Sequence, residues 1–314
     1  MLLNLGLLLL GGTLLYFGAE WLVRGGAGLA RAFEVSPLVV GLTVISYGTS
    51  APELAVSMLS GLDGKPQIAL GNVIGSNIAN IGLILGVTAL IAPPRVDGSL
   101  ARRELPVLLV ASLALPLILV HGLAGHLVAL GFVAGAIGFT YAALRWARPD
   151  AQPDDEPGGD QPATANRLVL SGLAVLGLAL LLGGGKVFVN GAIGLAHHFG
   201  MTERVIGLTV VAIGTSLPEL AASLVAALRG HSELAIGNVI GSNIFNVLLI
   251  LGATGLVAPL HGSLHAMRLD LGTMLALTVF CIWSLRRSRR VTRVEGALLT
   301  AGYCGFLVAL IVLG

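Results

Sequence analysis

GTSAPEL at 48–54 and GTSLPEL at 214–220 are nearly the same phrase written twice, 166 positions apart. Each sets a glutamate, Glu53 or Glu219, directly after a proline, inside a run apolar enough to lie in a membrane. Burying a carboxylate at that depth is costly, so an intramembrane glutamate marks a functional site by default. The prolines act on the backbone as well. Proline lacks an amide hydrogen and its ring crowds the carbonyl four residues back, so Pro52 releases the carbonyl of Gly48 and Pro218 that of Gly214. In lipid such a break persists only where it is buried in protein or lines a wet cavity. Two equivalent breaks, each carrying a carboxylate, point to one cation site assembled from two halves.

The repetition extends well beyond these heptapeptides. The same offset lays 41–86 on 207–252 without a gap, with 28 of 46 residues identical, and matches Gly18, Gly25, Gly28 and Leu29 more sparsely to Gly184, Gly191, Gly194 and Leu195. The chain is therefore a duplication. Of its 314 residues 55% are hydrophobic and 11% charged, and the mean hydropathy is +0.92, which excludes an ordinary soluble domain. Its 44 glycines, with few aromatics, suit closely packed membrane helices. The apolar runs are continuous rather than alternating, which disfavours a membrane β-barrel.

Runs of roughly twenty residues, the length needed to cross a bilayer, fall at 2–23, 37–62, 68–92, 105–120, 125–144, 168–190, 205–228, 234–258, 269–285 and 296–313. The expected fold class is thus an all-α integral membrane protein with ten transmembrane helices. The first run lacks the basic flank of a signal peptide and reads as an uncleaved membrane helix. Between the fifth and sixth runs, ARPDAQPDDEPGGDQPATAN at 147–166 reads as a solvated, disordered linker. Its acidic residues lack the glycine and spacing of a calcium loop. Three parts follow: a first five-helix repeat at 1–146, the linker at 147–166 and a second five-helix repeat at 167–314. Five spans is an odd number, so the second repeat enters from the opposite face and the two are expected to be inverted, with substrate bound between them.

Basic residues set the orientation. Fourteen arginines, at 24, 31, 95, 102, 103, 145, 148, 167, 229, 286, 287, 289, 290 and 293, fall on one side, against Lys65, Arg204 and Arg268 on the other. The richer side is expected to be cytoplasmic in a cell (inner) membrane, with the linker inside and both termini outside.

A second repeated phrase, GNVIGSNIAN at 71–80 and GNVIGSNIFN at 237–246, adds ligands. Ser76 and Asn80 are four residues apart and share a helix face, as do Ser242 and Asn246. With Thr49, Ser50, Thr215, Ser216 and the two glutamates, the set consists of hard oxygen donors, which suits Ca²⁺ or Na⁺ and argues against zinc or copper. The competing view is that Gly, Ser and Thr serve helix packing and that Asn serves as an interhelical hydrogen-bond partner. It does not account for glutamates with no basic residue nearby in their spans.

Other residues read as structural. Glu20 and Lys186 stand at equivalent positions and are expected to pair with each other or to extend to the interface. His261 and His265 read as loop histidines, the basic cluster at 286–293 as an anchor against anionic lipid, and Cys281 and Cys304 as small hydrophobes in packed helices. No nucleophile–base pair typical of an enzyme stands out, and neither a cofactor nor a nucleic-acid partner is implied.

At the two repeated phrases the sequence resembles the cation/Ca²⁺ exchanger superfamily, specifically its bacterial and archaeal sodium/calcium exchangers. The resemblance rests on GTS-x-PE and GN-x-x-GSN-x-x-N occurring twice and covers nearly the whole chain. It implies two inverted α-repeats, with the second, third, seventh and eighth spans central and the first and sixth sliding past them. It implies that Glu53 and Glu219 bridge Ca²⁺. Thr49, Ser50, Thr215, Ser216, Ser76 and Ser242 would help hold Na⁺, with main-chain carbonyls at Ser46 and Ala212. Some exchangers of this kind carry an aspartate where one repeat ends in Asn80 or Asn246. Here both are asparagine, leaving two formal charges in the site and the Na⁺:Ca²⁺ ratio open. The expectation is a monomeric antiporter exchanging Na⁺ for Ca²⁺ by alternating access and extruding Ca²⁺. A proton-coupled Ca²⁺ exchanger and, from another class, a cation channel are the alternatives.

Overall fold

The computed structural model describes residues 1–96, 98–121, 125–146, 166–200, 212–260 and 264–313. These are helical nearly throughout, and among them the one bridge of β type joins Arg95 to Arg290. In chain order the helices are α1 (Leu2–Ala32), α2 (Pro37–Thr49), α3 (Ala51–Leu62), α4 (Pro66–Ile91), α5 (Gly98–His121), α6 (His126–Trp146), α7 (Arg167–His198), α8 (Ala212–Thr215), α9 (Leu217–Leu228), α10 (Ser232–Val257), α11 (Arg268–Ser288) and α12 (Arg293–Leu313). Among the described residues seven helices are long and apolar enough to cross a membrane, eight when the bent pair α2 and α3 counts as one. The outward faces carry large exposed apolar side chains, among them Leu9, Leu127, Leu168 and Val175, as a surface bathed in lipid requires. This is a multi-pass membrane protein. The expected seventh span, 205–228, lies partly outside the described residues, as does the linker at 147–166, of which Asn166 alone is described, and His261 lies outside them.

α1 and α7, of 31 and 32 residues, are roughly 46 Å long at 1.5 Å per residue, longer than the expected spans 2–23 and 168–190. Hydropathy marks where lipid ends, whereas the hydrogen-bond ladder continues through Arg24 and Arg31 until the chain turns ahead of Pro37. The two helices run antiparallel in close contact. Glycines recur every seven residues on both, at 11, 18 and 25 and at 177, 184 and 191. A Cβ on Gly18 would stand 2.7 Å from the backbone nitrogen of Leu181, and one on Gly25 2.7 Å from that of Ala174. Only glycine permits this approach.

Two apolar cores flank the centre. One is built from α4, α5, α10, α11 and α12, and the other from α1, α2, α7, α9 and the start of α10. α5 begins at Gly98 rather than at the expected 105, taking Glu104 inside the protein. Glu20 pairs with Arg229 Nε at 2.9 Å and not with Lys186, because α9 delivers its C-terminal end against α1. Cys281 is buried as expected, but Cys304 faces outward on α12. Arg287 lies over the Trp283 ring and Arg103 over that of Trp146, tying part of the basic belt to interfacial aromatics. His265 is exposed.

Candidate cation-binding site

Both glutamates stand in the first turn of a helix that restarts after a break. Ser50 (φ −81°, ψ 7°) separates α2 from α3 with a 46° bend, and Ser216 (φ −93°, ψ 7°) separates α8 from α9. Pro52 and Pro218 occupy the opening positions of the new helices, where a missing amide hydrogen costs nothing. The glutamates then face the positive ends of α3 and α9, which favours negative charge.

Glu53 and Glu219 are each 1% exposed. Glu219 Oε1 accepts a hydrogen bond from Ser50 Oγ at 3.3 Å, across the two halves. Glu53 Oε2 and Glu219 Oε2 are buried without any hydrogen-bond partner, and neither side chain forms an ion pair among the described residues. Buried carboxylates left in this condition are costly unless a cation satisfies them.

Of the neutral donors expected from sequence, Thr49, Ser50, Ser76, Ser216, Ser242, Asn80 and Asn246 are all buried. Ser50 Oγ also lies within hydrogen-bond distance of the Ser242 hydroxyl, at 3.1 Å, and Thr49 Oγ1 donates to Asn238 Oδ1 at 3.2 Å. Ser216 Oγ, Asn80 Oδ1 and Asn246 Oδ1 are buried acceptors with no partner. Thr215 is half-buried at the end of α8. Of the two main-chain carbonyls, Ser46 O accepts the amide of Ser50 at 3.0 Å, whereas the amide of Ser216 turns to Ile213 O at 3.1 Å rather than to Ala212 O. The structure thus gathers acidic and neutral oxygens from both halves. Among the described residues no group of three or more His, Cys, Asp or Glu side chains is assembled, so the site has two carboxylates and otherwise neutral donors. That set offers Ca²⁺ charge balance and offers Na⁺ coordination, with no soft ligand for a transition metal.

Several participants were not singled out from sequence. Asn72 Nδ2 donates to Glu53 O at 3.1 Å and to Ser57 Oγ at 2.9 Å. Asn238 Nδ2 does the same to Glu219 O at 3.4 Å and Ser223 Oγ at 2.9 Å. These asparagines clamp each glutamate-bearing helix to the neighbouring one. Asn246 Nδ2 donates to Asn77 Oδ1 at 2.9 Å, and Asn77 Nδ2 to Asn243 O at 3.3 Å, stitching α4 to α10. The signal was present, since all of them survive the 166-residue offset, but nothing local separates a clamp from a ligand. Also unforeseen, the turns at Asn80–Leu85 and Asn246–Leu251 widen to π-helix directly at the two asparagines. Such bulges cluster at functional positions.

The family model described as sodium/calcium exchanger protein matches residues 3–145 and 169–312. The putative antiporter CaxA of Alkalimonas amylolytica is 40% identical over 305 residues, covering 95% of each chain. Sodium/calcium exchanger MaX1 of Methanosarcina acetivorans is 31% identical, covering 98% of each. Among solved structures, the sodium-calcium exchanger NCX_Mj soaked with 2.5 mM Na⁺ and 0.1 mM Ca²⁺ superposes with a TM-score of 0.84 at 32% identity, covering 100% of this chain and 99% of that one.

Proposed function

The chain belongs to the sodium/calcium exchanger protein family, and from that premise we propose that it is a secondary antiporter moving Ca²⁺ against Na⁺ by alternating access. Its family and structural neighbours are transporters rather than enzymes. One observation carries the reading: Glu53 and Glu219, each in its own copy of the repeated phrase, are 1% exposed with an unpartnered oxygen apiece, and Ser50, three residues before Glu53, donates to Glu219 Oε1. A pair of carboxylates without a basic neighbour is a receptor for positive charge.

In this proposal the two glutamates bridge Ca²⁺. Thr49, Ser50, Ser76, Thr215, Ser216 and Ser242, with Asn80, Asn246 and the carbonyls of Ser46 and Ala212, solvate it and the competing Na⁺. Ca²⁺ and Na⁺ contend for the same oxygens. Bare carboxylates make a closed empty core expensive, so only the loaded protein rearranges, and that coupling is what makes an antiporter instead of a leak. The surrounding architecture is ten transmembrane helices in two inverted repeats, 1–146 and 167–314, joined by a cytoplasmic linker at 147–166. Both termini face outward from the cell membrane, the unit is a monomer, and inward Na⁺ movement drives Ca²⁺ out. The twofold recurrence of the asparagine clamps supports the duplication. The gathering of Arg95, Arg103 and Arg290 near the ends of α4, α6 and α11 supports the orientation.

Reconstitution in liposomes tests the reading. An imposed Na⁺ gradient is expected to drive Ca²⁺ uptake, and a pH gradient of equal size is not. Uptake driven by the pH gradient alone would assign proton coupling. Ion current without counterflow would assign a channel.

A further inference from the structure

The 166-residue offset gives each asparagine at the centre a counterpart, and the pair at 72 and 238 behaves alike. Asn72 and Asn238 make the same pair of bonds. Bonds that cross between the halves do not match. Asn246 Nδ2 donates to Asn77 Oδ1 at 2.9 Å. The counterpart bond would run from Asn80 to Asn243, yet Asn80 Oδ1 and Asn243 Oδ1 are both buried without a partner. Asn243 Nδ2 folds back onto Val239 O of its own helix at 2.7 Å. Its counterpart Asn77 reaches across instead, to Asn243 O at 3.3 Å.

We propose that Asn77 and Asn243 are positioning residues that act in alternation, an inference that rests on the exchange reading above. In the arrangement seen here Asn77 Oδ1 accepts the Asn246 amide and so fixes how Asn246 presents its own Oδ1. In the oppositely open arrangement Asn243 accepts the Asn80 amide and does the same for Asn80, while the Asn77 amide folds onto Val73 O. Each arrangement contains one amide-to-amide bond, one bond back along the helix and one bond across to a backbone carbonyl. Apart from the long contact of Asn77 Nδ2 with Met274 Sδ at 4.0 Å, the swap therefore conserves the count of these hydrogen bonds, and the orphaned acceptor passes from Asn243 Oδ1 to Asn77 Oδ1. Two states so matched lie close in free energy, which a carrier that must visit both requires.

The test uses the full chain in liposomes with Asn77→Ala and, separately, Asn243→Ala. The readout is the apparent KM for Ca²⁺ at each membrane face. Asn77→Ala removes two bonds of the present arrangement and one of the opposite arrangement, and Asn243→Ala one of the present and two of the opposite, so each variant shifts the balance by one bond. The ratio of the two KM values is expected to move in opposite directions, each by about tenfold, the order expected for one buried hydrogen bond. A general packing defect would not reverse sign between the two variants. Should either alanine variant fail to reconstitute, Asn77→Ser and Asn243→Ser keep a small polar group in place and carry the same prediction. A ratio that is unchanged, or that moves in the same direction for both, with exchange intact in the unmodified chain, overturns the proposal. No Na⁺-dependent Ca²⁺ uptake in the unmodified chain would instead strike the exchange reading, and this proposal with it.

Discussion

Replacing Glu53 with glutamine keeps the side chain's size and removes one charge. The backbone of residue 53 stays held by Asn72, which bonds its carbonyl rather than its carboxyl. Glu53 Oε2 has no partner to orphan, so the substitution breaks no hydrogen bond to that atom. Stability without Ca²⁺ is therefore expected to hold or to rise slightly, since an uncompensated buried carboxylate has been removed. Ca²⁺ binding should collapse. At a centre-to-centre distance of about 4 Å and an effective dielectric of about 20, a divalent ion and one carboxylate attract by roughly 8 kcal/mol before desolvation. The dehydration that the carboxylate no longer suffers offsets part of this, leaving about 3–5 kcal/mol, or on the order of a hundred- to several-thousandfold in Kd.

Two measurements on the purified protein separate these effects. Thermal unfolding in detergent without Ca²⁺ should give a Tm equal to or above that of the unmodified chain. Titrating Ca²⁺ should then raise the Tm of the unmodified protein, by the equivalent of about 2.7 kcal/mol at a hundredfold excess over Kd, and leave Glu53→Gln unmoved over the same range. A variant that loses stability in the absence of Ca²⁺ would show that Glu53 is a structural residue. A variant that keeps Ca²⁺ stabilisation would remove Glu53 from the site.

Three further outcomes follow. Gly18→Val places a side chain against the backbone of α7, where even a Cβ stands 2.7 Å from Leu181 N. It should cost about 1–3 kcal/mol, visible as a lowered Tm, whereas Gly6→Val, with nothing within 4 Å, should not. Glu20→Gln breaks the ion pair to Arg229 at 2.9 Å; because Arg229 is exposed, Tm and exchange rate should be unchanged within error. Asn238→Ala removes the clamp on Glu219 O and Ser223 and the acceptor of Thr49. It should raise the KM for Ca²⁺ at least several-fold, read from initial uptake rates, without abolishing Ca²⁺-dependent stabilisation.

Much of the site could be read before the structure because membrane burial makes polar residues conspicuous. Glu53 and Glu219 stood out through cost alone, and Pro52 and Pro218 located the helix breaks to within two residues. Glu20 illustrates the opposite case. Repeat symmetry suggested Lys186, but pairing was decided by how α9 lies against α1, a tertiary fact that no local pattern contains. The helix ends were misjudged at α1, α5 and α7 for a common reason: hydropathy reports lipid contact, and a helix continues past it. The asparagines at 72, 77, 238 and 243 escaped because an amide serves equally well as ligand, clamp or crossbridge. Only the positions of its partners distinguish the three.

The presence of Asn80 and Asn246 at both repeat ends bears directly on how voltage acts. With both glutamates ionised the proposed site carries two negative charges, so its Ca²⁺-loaded form is neutral, and a form loaded with n sodium ions carries n − 2. Whatever n is, the voltage dependence of the cycle falls on the Na⁺ half. Exchange of Ca²⁺ for Ca²⁺, which uses only the other half, should be indifferent to membrane potential. Asn246→Asp adds one charge beside Asn77 and makes the Ca²⁺-loaded form carry a net −1. It leaves the charge moved per complete cycle unchanged at fixed n but transfers part of the voltage dependence to the Ca²⁺ half. An elementary charge crossing the full potential feels about 2.3 kcal/mol per 100 mV, so even a partial crossing should be measurable. The assay is radiolabelled Ca²⁺ self-exchange in liposomes clamped with potassium and valinomycin. The expected result is a flat dependence for the unmodified chain and a sloping one for Asn246→Asp. A steep slope in the unmodified chain would mean that the translocating site holds a charge other than two, and would refute the assignment of Glu53 and Glu219 as its only acidic ligands.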